Sequence, residues 1–148
     1  MMSPDRILSR LRSFLLALSG LLCAGTIAEL WLAEHMETVV QLIPFGLCGL
    51  GLVAALVVLL KPRRIPILTL RIIMALVAVG GLYGIYEHIE NNIEFQREIN
   101  PSASTGDAVI ASFYGPNPLL APGIVAVAAA LAVAATYHHP ALLRESKS

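Results

Sequence analysis

Residues 39–60 read VVQLIPFGLCGLGLVAALVVLL, an uninterrupted apolar run that carries no charged side chain. A helix needs roughly 20 such residues to cross a hydrocarbon core about 30 Å thick. Inside lipid the backbone must satisfy its own hydrogen bonds, so a run of this kind is helical. Three more stretches have the same character: about Leu11 to Ala33, about Ile67 to Tyr86 and about Leu119 to Tyr137. None alternates with period two, which removes the strand alternative. The composition agrees, with 57% hydrophobic and 14% charged residues among 148 and a mean hydropathy of +0.75. A soluble core of this length cannot hide that much apolar surface. The expected fold is therefore an all-α membrane protein, a single domain over residues 1–148 whose four transmembrane helices form one bundle.

Charge fixes an expected orientation. Arg6, Arg10, Arg12, Lys61, Arg63, Arg64, Arg71, Arg144 and Lys147 fall on one side of a four-span chain, and Arg97 alone on the other. The basic side is cytoplasmic by the positive-inside rule, which places both termini there. Eight acids (Glu29, Glu34, Glu37, Glu87, Glu90, Glu94, Glu98 and Asp107) lie at or beyond the outer face. The first apolar stretch is too long for a typical signal-peptide core and is expected to be retained. No basic run is long enough to suit nucleic acid, so the lipid bilayer is the expected partner.

The chain looks duplicated. Glu34-His35-Met36-Glu37 follows the first apolar stretch and Glu87-His88-Ile89-Glu90 follows the third. Pro44 and Pro62 in the first half match Pro122 and Pro140 in the second, each pair spaced 18 residues apart. The expected units are two parallel helical hairpins, residues 8–62 and 67–140, with an outer-loop insertion at about 91–121. Within it, residues 91–100 extend the third helix, 102–107 form a loop, 108–114 form a short interfacial helix, and 115–118 turn into the fourth helix. Small-residue rows (Gly20/Ala24/Ala28, Gly80/Gly84 and Ala126/Ala130/Ala134) permit close helix approach. Such rows suit packing within the chain, and also a homo-oligomer seam or docking as an accessory subunit of a larger membrane complex.

Chemistry concentrates at the outer ends. Glu29 lies within the last turns of its span, where a carboxylate is costly unless it faces water or the bundle interior. His35 and His88 would link the two halves, and Glu94 and Asn92 project from the extended third helix. Imidazole and carboxylate together suit a divalent transition metal ion, so the candidate ligands are His35, His88, Glu29, Glu94 and Asn92. Against this, adjacent Glu-His residues point about 100° apart on a helix, unlike the Glu-x-x-His of di-iron bundles. An acidic polar cap is the plainer reading. His138-His139 before Pro140 reads as a helix terminus, and Cys23 and Cys48 read as buried thiols. No positioned nucleophile, phosphate-binding loop or dinucleotide fingerprint occurs, so the expected function is non-enzymatic: an outer-face pocket for a metal ion or partner.

The segments Gly84-Ile85-Tyr86-Glu87-His88, Asn92-Ile93-Glu94-Phe95, Glu98-Ile99-Asn100-Pro101 and Leu120-Ala121-Pro122-Gly123 resemble those of a group of small four-helix bacterial inner-membrane proteins. The first half adds Ala28-Glu29-Leu30 and Gln41-Leu42-Ile43-Pro44. The group has no assigned activity. The resemblance implies a bacterial inner membrane and carries no function with it.

Overall fold

The computed structural model describes residues 3–143. Arg144 and Lys147 lie outside them. Six helices follow in order: α1 Pro4–Leu32, α2 Val39–Leu60, α3 Arg64–Ile99, α4 Thr105–Ser112, α5 Leu120–Ala135 and α6 Pro140–Leu143. Among the described residues there is no strand. α1, α2 and α3 are each long and apolar enough to cross a membrane. α5 is apolar too, but at 16 residues it is shorter than the other three.

The boundaries have local causes. Pro4 at the first turn of α1 gives up an N–H that would have had no helical partner. α2 starts with a capping box: the Thr38 hydroxyl accepts from the Gln41 N–H at 3.3 Å, and the Gln41 side chain accepts from the Thr38 N–H at 3.1 Å. α3 runs 36 residues, about 54 Å at 1.5 Å per residue, and stops one residue before Asn100-Pro101. Ser104 caps α4, its hydroxyl accepting from the Asp107 N–H at 3.2 Å.

Side by side, α1 lies against α2 and α5, and α3 lies against the same two, closing a ring. α4 lies on α3 alone. The core is one thin seam: Leu16, Cys23, Cys48, Val58, Ile67, Leu70, Met74, Val77, Ala128 and Ala132. Both cysteines are free and buried, and the Cys23 sulfur sits beside Gly51 of α2. Only 28% of the most apolar window of each long helix is buried, so most of the apolar surface faces outward. Leu60, Ile65 and Leu32 are each at least three-quarters exposed.

The small residues of α3 sit at close contacts, Gly80 against Leu47 and Gly84 against Pro122, but those of α5 follow a different stripe from the expected row. In α5 the inward stripe is Val125, Ala128, Ala129, Ala132 and Ala135, whereas Ala130 and Ala134 face outward. The deepest approach in α3 is at Gly81, between the two expected glycines. A Cβ there would come within 2.9 Å of the Pro122 carbonyl oxygen and 3.0 Å of the Ala126 nitrogen. Ser19 of α1 is buried and donates its hydroxyl to the Ala128 carbonyl at 2.7 Å, tying α1 to α5.

Gly81→Val should therefore destabilise the chain in detergent by about 1–3 kcal/mol, because backbone rather than a pliable side chain blocks the new group. Gly25→Ala meets nothing within 4 Å. It should be neutral or stabilise by up to about 1 kcal/mol, since alanine favours helix over glycine. Thermal unfolding of both variants beside the parent checks the contrast.

Candidate functional site

The acid-rich end of the ring, the expected outer end, is shaped by how α1 stops. Ala33 caps the helix, and Glu34 then takes a left-handed conformation with φ of 51°. The Glu34 N–H donates to the Trp31 carbonyl at 3.2 Å and the His35 N–H to the Leu30 carbonyl at 3.0 Å. Those two bonds make a Schellman motif, normally built on glycine. His35 therefore lies beyond the helix, whereas His88 lies well inside α3. The two Glu-His pairs share a sequence and differ in conformation.

A cavity of about 580 Å³ opens between the outer ends of α1, α2, α3 and α5. Glu29 and His35 line it from α1 and the turn that follows, and Glu87 and His88 line it from α3. Leu30, Val40, Leu47 and Val125 supply apolar wall, and Gly80, Gly81 and Gly84 line it on the α3 side. Thus three of the five expected site residues meet in one place. Glu87, expected only as one of the acids at the outer face, joins them.

The other two do not belong to it as expected. Glu94 is exposed and does not line the cavity. Asn92 is fully buried, and its amide is already committed. Its Nδ2 donates to the carbonyls of Ser112 at 2.8 Å and Asn117 at 2.9 Å, and its Oδ1 accepts from the Asn117 backbone N–H at 2.9 Å and side-chain Nδ2 at 3.1 Å. With every hydrogen-bonding position used, Asn92 staples the outer loop to α3 instead of offering a ligand oxygen. Among the described residues, no three His, Cys, Asp or Glu side chains group so as to hold a metal ion.

The staple also sets His88. Its Nδ1 lies 2.8 Å from the Pro118 carbonyl oxygen, which can only accept, so Nδ1 carries the proton. In the neutral ring Nε2 is then the lone-pair nitrogen. The site offers acceptors: two carboxylates, one fixed imidazole nitrogen, and His35 opposite. A sequence signal for the staple did exist, since asparagine inside a helix invites a reason, but its partners lie 20 to 25 residues away.

At the other end, α5 finishes in a two-arginine clamp. Arg71 donates from Nε to the Thr136 hydroxyl and from a terminal nitrogen to the Thr136 carbonyl, both at 3.0 Å. Arg12 donates to the carbonyls of Tyr137 at 3.3 Å and His138 at 3.1 Å. Cations at a helix C-terminus also match its dipole. His138 takes a left-handed φ of 45°, and His139 Nδ1 accepts from the Ala141 N–H at 3.2 Å. The His pair thus forms the helix terminus. Burial, and after it the Arg12 guanidinium, holds His139 below the ordinary imidazole range.

Comparison with family models, with curated proteins and with solved structures gives no match. The functional reading therefore stands on the geometry.

Asn92→Ala should cost about 1–3 kcal/mol and raise amide exchange across residues 100–118, because it orphans buried backbone groups of the loop. Gly115→Ala should do much the same, since its Cβ would collide with the Asn92 side chain. Glu34→Gly should stabilise the chain by about 1 kcal/mol in thermal unfolding, by relieving the left-handed strain.

Proposed function

We propose that this chain is a four-span, non-enzymatic protein of the bacterial inner membrane, with both termini cytoplasmic. Its outer cavity binds a small amphiphile bearing a cationic, hydrogen-bond-donating head. The outward-facing apolar surface of α1, α2 and α3 supports the bilayer setting, and the basic inner connections support the orientation. For the fourth span, Leu119 and Thr136 add helical backbone at either end of α5. That extends it to about 27 Å at 1.5 Å per residue, close to the hydrocarbon thickness.

One observation carries the ligand reading: Glu29, His35, Glu87 and His88, from distant parts of the chain, line a single cavity with apolar walls. Its volume of about 580 Å³ suits a small organic molecule. The two carboxylates and the His88 lone pair all accept, which favours a head that donates and carries positive charge. A divalent metal is the second reading. It is favoured by the His88–carbonyl hydrogen bond, the arrangement that orients imidazole ligands.

Titration of the detergent-purified protein with decylamine should raise its unfolding temperature, and decanoate should not. Glu29→Gln/Glu87→Gln should weaken the amine effect about tenfold or more, as expected for loss of charge-assisted hydrogen bonds. Equal responses to amine and carboxylate would sink the proposal. Stoichiometric metal by elemental mass spectrometry, lost in His35→Ala/His88→Ala, would replace it with the metal reading.

A further inference from the structure

A second cavity, of about 430 Å³, lies at the opposite end of the ring, between the start of α1, the end of α2 and the turn after α5. Its α1 wall carries Asp5, Leu8, Ser9, Arg12, Ser13 and Leu16. These positions follow i, i+3, i+4, i+7, i+8 and i+11, so they share one helix face. From the middle of the helix towards its start, that face runs from Leu16 through the cation and hydroxyls of Ser13, Arg12 and Ser9 to the acid Asp5, with Leu8 as the one apolar side chain beside Ser9. Val58 and Leu59 of α2 continue the apolar part.

The same order runs outward through a phospholipid with an amine headgroup: acyl chain, phosphate, ammonium. Arg12 is pre-organised for the middle position. One of its terminal nitrogens is fixed on the Tyr137 and His138 carbonyls, and the remaining N–H groups of the fork stay available to phosphate oxygens. Burial, and after it the Arg12 guanidinium, disfavours the charged form of His139, and on the α1 wall Arg12 and Asp5 oppose one another in charge. A balanced wall fits a zwitterion better than a purely anionic head, which would set its charge against Asp5.

We infer that this inner cavity is a binding site for a phospholipid with a primary-amine headgroup, the phosphate held by Arg12 and Ser13 and the ammonium by Asp5. The inference rests on the membrane-spanning reading alone. It is independent of the outer ligand and of which face is cytoplasmic.

The experiment uses the full chain in detergent with equal mole fractions of phosphatidylethanolamine, phosphatidylglycerol and phosphatidylcholine. Native mass spectrometry counts the retained lipid, and thermal unfolding measures its effect. One phosphatidylethanolamine per chain should be retained in preference to the other two. Asp5→Asn should cut that preference about tenfold relative to phosphatidylglycerol, the scale of a charge-assisted hydrogen bond. Arg12→Gln should reduce retention of all three. Because Arg12 also holds the end of α5, that variant can unfold, and Asp5→Asn then decides the matter alone. Equal retention of the three lipids, or an unchanged preference in Asp5→Asn, would overturn the inference. Stabilisation by free phosphoethanolamine as strong as by the lipid would overturn the lipid source and assign the cavity to a soluble phosphoamine. A chain that stays monodisperse without detergent would instead refute the membrane reading beneath it.

Discussion

The arrangement depends on one short helix having its backbone ends satisfied. α5 has 16 residues, no charged side chain and an alanine-rich inward face. Buried carbonyls left bare would each cost about 1–3 kcal/mol. The carbonyls of Thr136, Tyr137 and His138, directly after α5, are taken by Arg71 from α3 and Arg12 from α1, and the segment entering the helix is held by His88 and Asn92. Midway, Ser19 adds a bond from α1 to the Ala128 carbonyl. α5 is thus tied at both ends and the middle to the two helices that flank it.

This tying gives the two ends of the ring different chemistry. At the acid-rich end, the loop of residues 100–118 is pinned by one buried asparagine, which puts the Pro118 carbonyl against His88 and fixes the imidazole tautomer. Alanine and glycine at the α3–α5 contact let the backbones come close, and Gly80 and Gly84, packed against Leu47 and Pro122, line the cavity beside them. At the opposite end, Arg12, one of the two arginines that hold the segment after α5, furnishes a fixed cation beside an apolar wall. Side chains that close the fold thus also line both cavities.

Much of the helix layout was legible because it depends on local pattern. The apolar run from Val39 to Leu60 coincides with α2, the stop at Asn100-Pro101 ends α3 at Ile99, and residues 108–114 overlap a short helix that starts at Thr105. The inward face of α5 was not legible. A helix of nearly uniform alanine and valine has no amphipathic stripe to read, so the Ala126/Ala130/Ala134 row was as plausible as the one that packs. The Glu-His repeat misled in a different way. Its first copy begins with a left-handed Glu34 just past the end of α1, a conformation the residue types at that point do not announce.

Sequence alone determined the helical class, the apolar spans and the partition of charge between the two ends, because hydropathy and breaker residues act over one or two turns. Tertiary structure decided which polar side chains are spent and which remain available. Asn92 and Glu94 looked alike on a helix face, yet one closes four hydrogen bonds with a loop 20 or more residues away and the other faces outward. Glu87 entered the outer cavity, and Arg12 and Asp5 the inner one, through packing between distant segments. Hydrogen-bond satisfaction of buried groups is a property of the closed ring, and no local stretch of the chain encodes it.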